Sequence, residues 1–288
     1  MKSKKIILGT VQLGLDYGIN NPTGQPSLSE SLDILNEALD QGISTLDTAQ
    51  GYGNASEVIG KFHQQSERKF KVNTKFRVDK QNDFSTKVQE SLDLLQVSTI
   101  GVYFYHHFDD LIKYPGILND LNKLKENGLI SKIGVSIYDS AQFEVAVFTE
   151  GIDTIQMPFN LLDNYFQRGK QMMLAKKKNK EIQVRSVFLQ GLFFKDSDTY
   201  PEYLEPLKQP MNALRQLALE ANLSMQELAM AYVFSKAEID QIIIGVDNKE
   251  QLKTNLALSE ILLPASISEK IDQLAVRNVE LLYPYNWK

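Results

Sequence analysis

Ile43-Ser44-Thr45-Leu46-Asp47-Thr48-Ala49-Gln50-Gly51-Tyr52-Gly53-Asn54 opens as a short β-branched run and turns polar and glycine-rich at once, and a stretch of helical spacing, Ser56 to Phe62, follows it. This is one strand–loop–helix unit. The same alternation runs through the chain. Strand candidates are Ile6 to Gly9, Ile43 to Asp47, Phe70 to Lys75, Ile100 to Tyr105, Ile130 to Val135, Thr154 to Met157, Gln183 to Val187 and Gln241 to Gly245. Between them, helix candidates lie near Ser85 to Leu95, Gly116 to Asn127, Ala141 to Phe148, Gln167 to Lys178, Met211 to Ala221, Met225 to Ser235 and Lys249 to Ala257. One more helix follows the interruption at Pro22, Gly24 and Pro26. Ser27-Leu28-Ser29-Glu30 has the form of a capping box, Leu28, Leu32, Leu35 and Leu39 recur along one face, and Gly42 is the stop.

About eight such units in 288 residues is what a (β/α)₈ TIM barrel uses. A doubly wound sheet with helices on both faces shares the pattern, and strand count favours the barrel. No linker or composition shift divides the chain, so a single α/β domain over residues 1–288 is expected. Its longest irregular stretches are Phe188 to Leu204 and the tail after Ala275, and loops of that length in a compact domain are often functional.

Composition narrows the chemistry. The chain holds 43% hydrophobic, 23% charged and 9% aromatic residues, which is the make-up of a globular protein and not of a disordered one. It has no cysteine, which removes disulfides, thiolate metal sites and any thiol nucleophile. With only His63, His106 and His107 no metal centre is expected. A net charge of -5 argues against a nucleic-acid or anionic-lipid footprint. The Lys176 to Lys180 run reads as the solvated end of a helix. The N-terminus is basic but lacks a long apolar stretch, so neither a signal peptide nor a membrane span is expected and the cytoplasm is the default location.

In a barrel the working residues sit where strands end and βα loops begin. The second strand ends in Asp47 with Tyr52 beyond it, the third in Lys75, and the fourth is followed by His106 and His107. A Tyr is a poor acid at neutral pH, but a neighbouring Lys⁺ lowers its pKa and a carboxylate holds that Lys in place. Tyr52 can then donate a proton to a carbonyl oxygen while His106 orients or polarises that oxygen. Such a site protonates an alkoxide as it forms, which hydride addition to a carbonyl requires.

These residues carry a resemblance to the aldo-keto reductase superfamily, (β/α)₈ barrels that bind an extended nicotinamide cofactor. It runs from about Ile6 to Asn255. Leu46-Asp47-Thr48-Ala49-x-x-Tyr52-Gly53 is similar to the family's Asp-Thr-Ala-x-x-Tyr-Gly segment, Lys75 matches the lysine ending the third strand, and Tyr103-x-x-His106 matches a Tyr-x-x-His segment. The resemblance thus implies Asp47, Tyr52, Lys75 and His106 as the catalytic set. Gly134-Val135-Ser136 resembles the family's Gly-Val-Ser-Asn segment, with Ile137 where the Asn would stand. The implied carboxamide-binding residues are therefore Ser136 and Gln156. Arg185 stands where many relatives place a Tyr under the nicotinamide ring. A planar guanidinium can stack there, although a cation suits a ring that becomes cationic on oxidation less well. Thr10 and Ser186 complete the implied contacts near the ring.

The turn Gly245-Val246-Asp247-Asn248-Lys249-Glu250-Gln251-Leu252-x-x-Asn255 resembles the segment that grips the adenosine phosphate. Gly245 and Gln251 occupy positions where NADPH-preferring members usually carry basic residues, leaving Lys249 and Lys253 nearby as substitutes. Asp247 would disfavour a 2′-phosphate if it pointed inward. The resemblance implies NADPH, with NADH as the alternative. The opening Gly9-Thr10-Val11-Gln12-Leu13-Gly14 and the run Arg185-Ser186-Val187-Phe188-Leu189-Gln190-Gly191 resemble a bacterial group linked to surface-sugar biosynthesis. They imply a keto- or aldehydo-sugar, free or nucleotide-linked, as the small-molecule carbonyl substrate.

Each residue has a plainer reading. Asp47 and Lys75 alone read as a structural ion pair, and His106 alone as a satisfied interior histidine. His107 reads as packing or capping its loop, and His63 as a surface residue. Gly51-Tyr52-Gly53-Asn54-Ala55-Ser56 is a poor match to a dinucleotide fingerprint, with Ser56 at the third glycine. Tyr283, Tyr285 and Trp287, in the tail from about residue 276 to 288, either line the substrate pocket or pin the tail to the barrel. Two other functions stay open: a cofactor-binding redox-sensing subunit, as the potassium-channel β subunits are, and an enzyme on the same barrel that uses no nicotinamide.

Overall fold

Eight of the β-branched and aromatic runs form strands in the computed structural model, which describes residues 5–19, 21, 23–78 and 83–287. Met1 to Lys4 and Pro22 lie outside them. The strands are β1 (Ile6–Gly9), β2 (Thr45–Asp47), β3 (Lys71–Phe76), β4 (Ile100–Tyr105), β5 (Ile130–Ser136), β6 (Thr154–Pro158), β7 (Glu181–Arg185) and β8 (Gln241–Gly245). Each pairs in parallel with the next, and β8 returns to β1 with Ile6 opposite Ile242 and Gly9 opposite Gly245. The sheet is therefore a closed (β/α)₈ barrel and not a doubly wound sheet. Closure leaves no edge strand, and helices cover the outside, so the strands are buried on both faces and need continuous rather than alternating hydrophobicity. All five residues of β6 are buried, for example.

Local chemistry explains where elements start and stop. The Ser27 capping box forms as expected: the Ser27 hydroxyl accepts from Glu30 N–H while the Glu30 carboxylate accepts from Ser27 N–H at 2.8 Å. The buried face of that helix, Leu28–Asp40, is Ser31, Ile34, Leu35 and Ala38, whereas Leu28 is exposed. β2 begins at Thr45, two residues later than the pattern predicts. Ile43 N–H is taken by Ala38 O at 2.9 Å as the chain leaves the helix through Gly42, whose φ is +84°. That is a Schellman-type cap, and it removes Ile43 from the ladder. β7 ends at Arg185 because Ser186 adopts φ +60°.

Three helices escaped the pattern, Val11–Gly14, Phe108–Lys113 and Ala265–Asp272, all shorter than the window over which a 3.6-residue period can be read. The stretch from Phe188 to Leu204 is not structureless. It is folded into 3₁₀ turns at Leu189–Phe194, Ser197–Thr199 and Glu202–Leu207, anchored by the buried side chains of Leu192, Phe193, Leu204 and Leu207. The Lys176 to Lys180 run is more than a solvated helix end. Lys176 pairs with Asp240 at 2.7 Å, and Lys180 Nζ donates to the carbonyls of Thr149 and Ile152. Among the described residues no helix is long and apolar enough to cross a membrane.

Candidate active site

The ends of β2, β3 and β4 bring four side chains to one mouth of the barrel. Lys75 Nζ donates to Asp47 Oδ2 at 2.5 Å, to Thr48 O at 2.9 Å and to Tyr52 Oη at 3.4 Å. The second Asp47 oxygen accepts from Gln156 Nε2, in the middle of β6, at 2.8 Å. Lys75 is 1% and Asp47 3% exposed. Burial works against the Lys75 charge, yet Asp47 and Tyr52 outweigh it and raise the ammonium pKa above its ordinary value. A buried ammonium with its three protons committed to a carboxylate, a carbonyl and a phenol is fixed in place.

His106 meets Tyr52 edge-on, with ring centroids 6.1 Å apart and planes at 86°. Its other face lies against His107, stacked at 5.0 Å and 12°. His107 makes no side-chain cap to the helix that follows it. His106 Nδ1 is buried with no hydrogen-bond partner among the described residues. Burial, reinforced by the positive charges of Lys75, Arg77 and Arg185 and by His107, pushes the imidazole pKa down to about 3. It is therefore neutral at physiological pH. When the chain unfolds that imidazole returns to about 6.5. Between those values the unfolded state binds the extra proton, so this residue costs the fold stability as pH falls from about 6.5 towards 3. A His106→Gln variant is expected to lose less of its urea midpoint between pH 7 and pH 5 than the wild type. Equal losses would place the effect elsewhere.

Backbone packing sets where Tyr52 stands. A Cβ at Gly14 would lie 1.9 Å from the Tyr52 carbonyl oxygen, and one at Gly53, which has φ +53°, would lie 2.0 Å from Gly14 O. The turn Val11–Gly14 and the Tyr52 loop thus touch main chain to main chain, and only glycine permits it. Gly14→Ala is expected to push the Tyr52 loop aside and lower kcat/KM for carbonyl reduction by about 100-fold. Full activity in that variant would show that the contact does not position the tyrosine.

Above these residues opens a cavity of about 620 Å³. Asp47, Tyr52, Lys75 and His106 line it, and so do Thr10, Ser136, Gln156, Arg185, Ser186, Gly245, Asp247, Gln251 and Asn255. Thr10 has its hydroxyl engaged, donating to Asp47 O at 3.0 Å. Gln156 is fully buried with Oε1 unpaired. Arg185 donates to Ile137 O at 3.2 Å and lies 4.4 Å over the Tyr138 ring. Tyr285 meets Tyr138 edge-on at 4.6 Å. Pro284 and Tyr285 belong to the cavity wall, while Trp287 Nε1 donates to Leu281 O at 3.0 Å, a hydrogen bond within the tail itself.

Sequence reasoning did not single out Tyr17, Tyr138 and Gln190, which also line the cavity; Gln190 Nε2 donates to Tyr17 Oη at 2.9 Å. Tyr138 follows the Gly134 to Ile137 segment directly, and that adjacency was the available signal. Ser186, Leu189 and Gln190 all have positive φ, between 47° and 60°, and Ser186 and Gln190 line the cavity. Such backbone costs about 1–3 kcal/mol per residue and persists only where surroundings enforce it. Here Asn160 Nδ2 donates to Ser186 O at 3.1 Å. His63 is no surface residue: it is 2% exposed, with Nδ1 2.7 Å from Leu95 O and Nε2 accepting from Phe70 N–H at 3.1 Å. It braces the helix Ala55–Gln65 against its neighbours, away from the cavity. Among the described residues no cluster of three His, Asp or Glu side chains is placed to hold a metal ion.

The sequence profile of the Aldo/keto reductase family matches residues 5–276. Aldo-keto reductase YhdN of Bacillus subtilis (strain 168) is 25% identical over an alignment covering 91% of this chain and 86% of that protein. The NADH-specific methylglyoxal reductase of Escherichia coli (strain K12) is 24% identical, covering 90% of this chain and 94% of that one. A holo-form aldo-keto reductase structure from Bacillus halodurans superposes with a TM-score of 0.75 at 20% identity, over 94% of this chain and 92% of that one.

Proposed function

Because the chain belongs to the aldo/keto reductase family and is an NAD(P)H-dependent oxidoreductase, we propose that it reduces a small-molecule aldehyde or ketone to an alcohol with Tyr52 as the proton donor. The observation that carries this reading is the buried Lys75 ammonium, held by Asp47 and touching Tyr52 Oη on a cavity open to substrate.

The cavity suits a nicotinamide group. Its carboxamide needs a buried acceptor for its N–H, and Gln156 Oε1 is one, unpaired beside the Ser136 hydroxyl in the same wall. The dinucleotide supplies the hydride when bound. Every other task falls to this chain's side chains. Tyr52 gives up its phenolic proton to the carbonyl oxygen, and Lys75 stabilises the phenolate left behind, because its ammonium is 3.4 Å away. Asp47 keeps Lys75 charged and aimed. His106, neutral, donates a hydrogen bond to the carbonyl oxygen and fixes which face of the carbonyl is presented. Arg185, held over Tyr138, places its free face beside the ring site, and Thr10, Ser186, Gly245, Asp247, Gln251 and Asn255 line the path of the rest of the cofactor.

For the substrate we favour a keto- or aldehydo-sugar. The hydroxyl and amide groups of Tyr17, Tyr138 and Gln190 around the mouth offer hydrogen bonds to a polyhydroxylated molecule, and the tail residue Tyr285 closes that side. The Escherichia coli relative, named for methylglyoxal reduction, supports a small polar carbonyl. The expected location remains the cytoplasm, where a reduced dinucleotide is at hand. The test is loss of reduced-dinucleotide absorbance with methylglyoxal, simple aldoses and ketoses, and nucleotide-linked keto-sugars. Absence of steady turnover with every carbonyl would favour the redox-sensing role instead.

A further inference from the structure

Charge around the cavity is one-sided. Its cations, Lys75 and Arg185, stand at the ends of β3 and β7 around the reacting centre. On the β8 side the described lining residues are Ile243, Ile244, Gly245, Asp247, Gln251, Asn255 and Gln226, and the Asp247 carboxylate is the only charge among them. This carboxylate is held in place. Asp247 N–H donates to Gln251 Oε1 at 2.9 Å, Asp247 Oδ2 accepts from Gln251 Nε2 at 3.1 Å, and Gln251 N–H is itself fixed by Asn248 Oδ1 at 2.8 Å. Asp247 Oδ1 receives no hydrogen bond from any described residue. The two lysines that sequence offers as phosphate anchors are elsewhere. Lys253 pairs with Glu37 at 3.2 Å, Lys249 is exposed, and neither lines the cavity.

We propose that this chain selects NADH over NADPH and that Asp247 is the selecting residue. The inference rests on the reading above, in which the dinucleotide lies along this cavity with its adenosine ribose at the end of β8. A ribose 2′-hydroxyl is a donor, and Asp247 Oδ1 is the unfilled acceptor that matches it. A 2′-phosphate brings a charge of about −1.5 to −2 to the same place. There it meets a fixed carboxylate with no cation among the described lining residues of that side to offset it, and like charges so placed cost affinity. The proposal departs from the NADPH that the family resemblance implies, because Asp247 stands inside the cavity and the substitute lysines stand outside.

The test is equilibrium binding of each reduced dinucleotide to the full chain, followed by quenching of its tyrosine and tryptophan fluorescence. Wild type is expected to bind NADH roughly tenfold or more tighter than NADPH. Asp247→Asn should bring the two affinities within about threefold by improving NADPH, and Asp247→Arg should reverse the order. Should the Asp247 variants fail to fold, Lys253→Ala reports on the competing anchor, and there the wild-type ratio should persist. NADPH binding wild type as tightly as NADH, an unchanged ratio in Asp247→Asn, or a selective loss of NADPH in Lys253→Ala would overturn the proposal. Absence of binding by either dinucleotide would instead remove the cofactor reading on which it rests.

Discussion

Tyr52→Phe is expected to slow carbonyl reduction by about 10²–10⁴-fold while dinucleotide affinity stays within about twofold. The change deletes one oxygen and keeps the ring, so the edge-on contact with His106 survives. Lys75 retains Asp47 and the Thr48 carbonyl as partners, and the buried pair stays satisfied. Only the proposed proton donor is lost. Single-turnover rates at saturating dinucleotide, set beside fluorescence titrations, separate the two quantities. Reduction at the wild-type rate would place the acid on another group and end the mechanism proposed here.

Lys75→Met should do damage of a different kind. It removes the cation from Asp47, which is 3% exposed, and leaves a carboxylate in the barrel with Gln156 as its remaining side-chain donor. Breaking a buried pair from one side costs about 3–5 kcal/mol. We therefore expect a large fall in the urea midpoint together with loss of activity, whereas Tyr52→Phe loses activity alone. Adding Asp47→Asn should restore much of the stability and none of the catalysis, because the uncompensated charge is gone and the fixed ammonium is still missing. If the double variant is as unstable as Lys75→Met, the stranded carboxylate is not the cause.

These contrasts also show what could be read before the fold was known. Asp47, Lys75 and His106 were legible because each ends or follows a β-branched run, and in a barrel those positions converge whatever lies between them. Ser136, Gln156, Arg185 and Gly245, which also line the cavity, were legible through the family resemblance. Tyr17 and Gln190 were not, since they sit in loops whose course depends on tertiary contact, and their mutual hydrogen bond spans 173 positions. His63 misled because its flanks, Lys61, Gln64 and Gln65, look solvated. Its own ring is turned inward to the backbone of Leu95 and Phe70, a satisfaction that no local pattern displays. The left-handed backbone at 186, 189 and 190 falls on residues that are not glycine, so nothing in the sequence announces that conformation.

The hydrogen bond from Gln156 to Asp47 joins residues 109 positions apart, and the β1–β8 pairing joins the two extremes of the sheet. Contacts so distant in sequence form late, because the loop entropy must be met before they reward the chain. Chains of this size commonly fold through collapsed states with incomplete tertiary packing. Until β6 joins the barrel, the Asp47 carboxylate that aims the ammonium lacks its Gln156 donor. During refolding, regained turnover should therefore lag behind regained helicity by far-ultraviolet dichroism. The chemistry becomes a reporter on the moment the ring shuts.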